Sequence, residues 1–330
     1  MTGITPWGHI EWLLPKVNIS SWIAIFCPSF EPRSVAAASW LAKSSYNIKP
    51  FGIKVDDPPN QYTVRIEQLT QTHEHQIHKQ YSTYESVSTE LLSELSVWNN
   101  IVNQLSAEKD CSILLDISSM PKRIFLFLIK RLIASGNVKD LVVCYSCAEG
   151  HREGKLTENS SPPSSIPGFS RVNESDQQSA VIVSVGYMAY NFSEFLQNYS
   201  TSTLPKFIFP FPPGSPSFRR NWRRLHDLLP AMERRAEIKR THAMDMFAVL
   251  EWLKALGDSV DGNIDLIPLG PKPHTLAMGL AHLHFEDRSE IIYSQPRIYH
   301  PEYSHGIAKD RAGKPEIYAY CLRRNHTDYV

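Results

Sequence analysis

The stretch Ile113-Leu114-Leu115-Asp116-Ile117-Ser118-Ser119-Met120-Pro121-Lys122-Arg123, running on into Ile124-Phe125-Leu126, constrains the fold more than any other part of the chain. A short, continuous apolar run ending in an acidic residue reads as a buried strand. A polar loop follows. Pro121 then fits the first turn of a helix, because its missing N–H would be unsatisfied there anyway. Ser118 and Ser119 are placed to cap that turn with their hydroxyls. Far downstream the same order returns as Ile264-Asp265-Leu266-Ile267-Pro268-Leu269-Gly270-Pro271-Lys272-Pro273-His274, again entering an apolar helix. Loops of this kind sit at the carboxyl ends of strands in α/β sheets, where ligands usually bind.

The rest of the chain falls into order around these two loops. Apolar runs predict strands at 22–27, 48–55, 141–145, 181–186, 207–209, 290–294 and 316–322. Helical spacing covers 35–43, 84–105, 191–199, 218–229, 232–256 and 275–283. Residues 56–83 are polar, with a turn at Asp57-Pro58-Pro59-Asn60 and a short strand around 62–69. Strands alternating with helices imply parallel sheets joined by right-handed crossovers. The expectation is therefore an α/β protein of two Rossmann-like halves with mainly parallel sheets, pseudo-duplicated. Residues 1–148 form the first half and 180–330 the second. The Ser-, Pro- and Glu-rich segment 149–179 between them reads as an exposed linker or insertion, with Asp116 and Asp265 one residue out of register against their Pro-Lys pairs.

Composition narrows the class. Apolar content of 42% and charged content of 21% suit a soluble globular chain with ample core. Thirty-four basic and thirty-four acidic residues argue against a coat for nucleic acid. The opening residues 1–7 lack a basic n-region, and no apolar run approaches the roughly 20 residues that span a bilayer, so the expectation is a cytoplasmic protein with no membrane partner. Five cysteines, mostly in apolar strands, read as reduced buried thiols; Cys144-Tyr145-Ser146-Cys147 lacks both a following helix for redox chemistry and a second pair for zinc.

Candidate ligand contacts gather at the predicted loops. Lys122, Arg123 and Lys272 bring cations to helix N-termini, which already favour anions, and Ser118, Ser119 and His274 can donate hydrogen bonds there; Asp116 and Gly270 complete the two loops. Ser29 and Arg33 follow the first strand, where a Rossmann unit places its phosphate loop, but without the glycines of a dinucleotide site. Glu31 and Arg33 also suit a local surface pair. The run Arg219-Arg220-Asn221-Trp222-Arg223-Arg224 suits either a phosphate backbone with Trp222 stacking on a base, or the wet face of a helix. The tail 295–306 holds Arg297 and Tyr299 as ligand contacts and His300 and His305 as the candidates for acid–base chemistry, in spacing that matches no metal set. No metal is implied, and these residues name no particular cofactor.

With these residues in view, Leu269-Gly270-Pro271-Lys272-Pro273-His274-Thr275-Leu276-Ala277 resembles the glycine-threonine-lysine-proline loop of CARF-type Rossmann sensor domains, over about ten residues and with only Gly270 and Lys272 retained. The Ser-Phe-Glu-x-Arg and Asp-Ile-Ser-Ser-Met-Pro-Lys-Arg loops are similar to those of α/β proteins associated with prokaryotic defence genes. The resemblance implies a nucleotide or nucleic-acid-linked sensor subunit of a bacterial defence system that works with a partner protein. An enzyme acting on nucleotides or nucleic acid, a hydrolase or a transferase, and a ligand-free scaffold are the alternatives.

Overall fold

The computed structural model describes residues 6–173, 180–186, 205–211, 223 and 237–330. Its contacts divide the chain into two units, Met1–Asn159 with Pro296–Val330 and, between them, Ser160–Gln295.

The first unit opens with β1 (Trp7–His9) and α1 (Ile10–Val17), followed by β2 (Ser21–Phe26), α2 (Ala36–Ala42), β3 (Asn47–Asp56), α3 (Thr63–Gln80), β4 (Glu85–Glu90), α4 (Leu95–Leu105), β5 (Cys111–Asp116), α5 (Lys122–Ala134) and β6 (Val138–Ser146). Strands β2 to β6 are parallel and lie in the order β4-β3-β2-β5-β6. Trp22, Ala24, Ile25 and Phe26 on β2 and Ile113, Leu114 and Leu115 on β5 are all buried. A parallel sheet covered on both faces requires such continuous apolar runs, which is why these strands were legible. Helix α5 buries Ile124 through Ile129 and Leu132. At roughly 1.5–3 kcal/mol per large apolar side chain, that burial outweighs helix propensity in fixing the element.

Two short strands, β7 (Gly150–His151) and β8 (Thr157–Glu158), lead to the second unit: β9 (Ser164–Ser165), β10 (Ala180–Ser184), β11 (Pro205–Phe211), β12 (Glu237–His242), α6 (Met246–Asp258), β13 (Ile264–Pro268), α7 (Lys272–His284) and β14 (Ser289–Tyr293). Here the parallel order is β12-β11-β10-β13-β14. Numbering the parallel strands of each unit from first to fifth, both sheets read 3-2-1-4-5. Both are also extended beyond the fifth strand by an antiparallel one, β9 on β14 in the second unit. The chain then returns to the first unit as β15 (Ile298–Tyr299), β16 (Ser304–His305), β17 (Ile317–Arg324) and β18 (Thr327–Asp328), with β17 antiparallel to β6.

That return corrects the expected domain limits. The second unit ends at Gln295, and the last strands complete the first sheet. The segment expected as an exposed linker is instead docked through residue 173: β7 pairs β16, β8 pairs β15, and Leu156, Ile166 and Phe169 are buried. Three apolar anchors and strand pairing hold a stretch whose average composition is polar. Residues 174–179 lie outside the described residues. The stretch expected as a strand near 62–69 lies in α3, a surface helix that buries only Thr70 and Ile77 and so shows little periodicity. The helix expected over 84–105 begins at Leu95; the β-branched, polar run ahead of it forms the edge strand β4. Likewise 237–242, expected within a helix, is the charged edge strand β12. The helices expected at 191–199 and 218–229 fall outside the described residues, Arg223 excepted.

Candidate functional site

In an open parallel sheet, ligands bind beyond the carboxyl ends of the strands where the strand order reverses. In the first unit that place lies between β2 and β5, so the loops 27–31 and 117–121 border it. The two loops are tied together: Ser119 Oγ donates to the Cys27 carbonyl (2.6 Å). Asp116, the last residue of β5, accepts from the Ser118 N–H (2.9 Å) and from the Ser118 hydroxyl. The Ser118 oxygen in turn accepts from the Ser146 N–H (2.7 Å), binding the end of β6 to the same loop. The serines expected to cap α5 are therefore engaged in crosslinking strand ends. Pro121 occupies the cap position, and no side chain caps the helix.

Loop 27–31 is fixed in the same manner. His73 Nδ1 donates to the Ser29 carbonyl (2.6 Å), Ser34 Oγ donates to that carbonyl (3.3 Å), and Ser29 Oγ accepts from the Glu31 N–H (3.1 Å). Arg33, expected at an anion, is 3% exposed and sits inside a polar network. It pairs with Glu31 at 2.9 Å and donates to Tyr145 Oη (2.8 Å) and the Ser146 carbonyl (3.4 Å). Ser304 Oγ, from β16, donates to the same Glu31 carboxylate (2.6 Å). Burial opposes the charge of Arg33, but the Glu31 carboxylate prevails and raises its pKa. The anion reading of Arg33 and the surface-pair reading both give way to a buried ion pair that fastens the tail to the first loop. His151 stands near this pair; burial, helped by the Arg33 charge, lowers its pKa to about 4.

Lys122 and Arg123 open α5, and both are half-buried. Burial lowers the pKa of Arg123, and no carboxylate pairs with it among the described residues. The tail residues lie over loop 27–31 and the β3–α3 connection: Tyr299 approaches Phe30 (6.4 Å between rings) and His300 approaches Tyr62 (5.0 Å). Arg297 is exposed. His300 Nδ1 accepts from the Glu302 N–H (3.1 Å), and the His305 ring covers Gly150, where a Cβ would collide with it. These contacts give both histidines packing roles and bring neither to a nucleophile.

In the second unit the strand order reverses between β10 and β13. Gly270 is required there by close approach, since a Cβ would run into Ser184 Oγ. Helix α7 matches α5 in length at 13 residues, with Pro271 as cap and Lys272, half-buried, as its first residue. His274 is wholly buried. Its Nε2 lies 3.1 Å from the His242 carbonyl, which can only accept, so Nε2 carries the proton and Nδ1 accepts from Ser184 Oγ (3.4 Å). His274 thus ties strand ends rather than facing a ligand. Asp265 is not the counterpart of Asp116 either: it is the second residue of β13 and pairs with Arg171 (2.8 Å), which also pairs with Glu290 (2.6 Å). Nothing local in the sequence marked Arg171 for that role.

Of the basic run, Arg219, Arg220, Trp222 and Arg224 lie outside the described residues, and Arg223 is exposed. The five cysteines form no disulfide, and burial, with Glu316 nearby, pushes the Cys147 thiol up to about 12, which leaves it unreactive. Among the described residues no cluster of His, Cys, Asp and Glu is placed to hold a metal ion, and no helix is long and apolar enough to cross a membrane.

No protein-family model and no curated protein matches the chain. Among solved structures it is similar to a protein described as a universal stress protein from Pseudomonas aeruginosa UCBPP-PA14, with 12% identity, 86% of this chain and 95% of that chain covered, and a TM-score of 0.24. It is also similar to the cytoplasmic domain of a prokaryotic cation chloride cotransporter, with 9% identity, coverages of 84% and 96%, and a TM-score of 0.24. The strand orders of both sheets are Rossmann-like.

Proposed function

We propose that the chain is a nucleotide-binding subunit whose first unit holds the ligand's phosphate where the strand order reverses between β2 and β5. In keeping with the resemblance to CARF-type sensors, the ligand is then reported to a partner protein of a prokaryotic defence system. One observation carries the reading. Arg123 is a half-buried cation in the first turn of α5, its charge is disfavoured by burial, and no carboxylate pairs with it among the described residues. The helix macrodipole is unfavourable to a cation at that end, so the position makes physical sense when an anion shares it. Backbone N–H groups of a helix N-terminus suit the same anion. The neighbouring loops are held rigid by the Ser119–Cys27 and Ser118–Asp116 bonds, which limits the ordering cost of binding.

Equilibrium dialysis against mononucleotides, dinucleotides and cyclic oligonucleotides tests this. The double variant Lys122→Gln with Arg123→Gln should weaken binding of the preferred ligand by at least tenfold, because charge-assisted hydrogen bonds contribute roughly 1.5–3 kcal/mol each. Its thermal stability should stay within about 1 °C of the parent. Unchanged binding of every ligand, or no binding by the parent, would overturn the proposal.

A further inference from the structure

A second concave site lies one strand further along the carboxyl edge of the same sheet. Where β3 ends and α3 begins, a cavity of about 50 Å³ is lined by Lys54, Asp56, Asp57, Thr63, Glu67 and Thr70, with Val55 and Ile66 supplying apolar wall. That is room for about three to five groups the size of a water molecule. The connecting loop satisfies itself. Asn60 Oδ1 accepts from the Tyr62 N–H (2.8 Å), Asn60 Nδ2 donates to the Pro58 carbonyl (2.8 Å), and Thr63 Oγ1 accepts from the Asn60 N–H (2.8 Å).

Lys54, Asp56 and Glu67, as well as Asp57 and Thr70, make no side-chain hydrogen bond among the described residues, and Asp56 and Glu67 are exposed. Asp57 is half-buried and makes no hydrogen bond or ion pair among the described residues. Thr70 is only 8% exposed, and its hydroxyl likewise has no hydrogen-bond partner there. The Thr70 hydroxyl and the Asp57 carboxylate therefore face the cavity with acceptor capacity that the protein itself leaves unused.

We infer that this cavity takes the primary ammonium group of an alkylamine, with Asp57 and Glu67 as counter-charges, Thr70 Oγ1 as a further acceptor, and Val55 and Ile66 against the adjoining methylenes. Three carboxylates against the single cation Lys54 exclude an anion, even at a helix start. A metal ion is disfavoured because no cluster of three ligating side chains is formed among the described residues. An ammonium needs fewer ligands, since its three N–H donors match two carboxylates and one hydroxyl. The charge state of the wall agrees: burial first, and then the neighbouring Asp56, push the Asp57 carboxyl up to about 7. A bound cation reverses that push. The other charged groups lining the space are Lys54 and Asp56 from β3 and Glu67 from α3.

Isothermal titration of the full chain with n-butylamine, putrescine, spermidine and an Nα-acetyl-lysine amide tests the site and separates a free amine from a lysine side chain as its source. At pH 8 at least one of these should bind saturably. Affinity should fall at least tenfold in Asp57→Asn and several-fold in Thr70→Val, and stay within twofold in the exposed control Glu153→Gln. Lowering the pH from 8 to 6 should weaken binding by the parent and leave Asp57→Asn indifferent. Because Asp57→Asn removes a disfavoured charge, it should fold, and a thermal-unfolding trace of each variant confirms that. No saturable binding of any amine at 10 mM, equal binding by Asp57→Asn, or displacement of the amine by equimolar K⁺ or Mg²⁺ would overturn the inference.

Discussion

The two units share a strand order and differ in what they do with their polar residues. Each places its first and fourth parallel strands side by side, and each begins the helix after the fourth strand with a lysine behind a proline cap. In the first unit the strand-end carboxylate, Asp116, is bound to the loop that follows it. In the second, Asp265 lies near the start of its strand and pairs with Arg171, a residue that precedes all five parallel strands in sequence. The backbone plan was repeated while the chemistry at the strand ends diverged. Topology is held by apolar patterning that tolerates substitution, whereas a polar contact depends on one partner at one place.

Breaking the buried ion pair of the first unit and the part-buried one of the second should produce the largest effects. Arg33→Met strands the Glu31 carboxylate and should cost about 3–5 kcal/mol, and Arg171→Met, whose pairs with Asp265 and Glu290 are part-buried, should cost less, about 1–3 kcal/mol. Chemical denaturation followed separately in each unit should show each substitution lowering its own unit's transition. A single transition that shifts equally in both variants would erase the division into two stability units.

A pH effect of somewhat smaller size belongs to the first unit. His151 titrates at about 4 when folded, against 6.5 for the free side chain. Between those values the unfolded chain binds the extra proton, so His151 makes stability rise with pH from about 4 to 6.5 and contributes nothing further above that window. The full swing is on the order of 3 kcal/mol. Asp57 has the opposite sign: its folded value of about 7 lies above the ordinary 3.8 of the free side chain, so its contribution declines as pH rises between them. Urea midpoints measured from pH 4 to 8 should rise more steeply with pH in Asp57→Asn than in the parent, and tilt downward with pH relative to the parent in His151→Gln. Parallel curves for both variants and the parent would contradict these assignments.

Two glycines, one in the β13–α7 loop and one between α5 and β6, give a smaller contrast. Gly270→Ala drives a methyl into Ser184 and should cost about 1–3 kcal/mol, while Gly136→Ala, with open space around it, should change stability by about 0.5 kcal/mol or less. Equal thermal shifts would mean that the tight approach in the second unit is not needed.

How legible the molecule was follows the same divide. The central strands and α5 were plain because a parallel sheet demands uninterrupted apolar runs such as Trp22–Phe26 and Ile113–Leu115. Strand β4 and helix α3 were hidden because edge and surface elements carry little apolar periodicity. The closing strand β17 was read as a strand but given to the wrong unit, since its partner β6 is separated from it by the entire second unit. At the site, Lys122 and Arg123 were found where the loop motif put them. The burial of Arg33 and His274 was not foreseeable, because it depends on Tyr145, Ser304, His242 and Ser184, all distant in sequence. Asp57 stood in a turn motif and gave no sign of its cavity.

The weakest expected effect is the most discriminating control for the ligand site: Lys272→Gln should leave nucleotide affinity within twofold, and a tenfold loss would mean that the second unit's loop shares the ligand. The central claim, that the first unit's strand-reversal point holds a nucleotide, is tested most directly by photo-crosslinking. The chain is irradiated with an azido derivative of the nucleotide found by dialysis, and the labelled peptides are mapped by mass spectrometry. Label within 27–35 and 117–131, lost on addition of unmodified nucleotide and in the Lys122→Gln with Arg123→Gln variant, is the expected result. Competable label confined to any other part of the chain would contradict it.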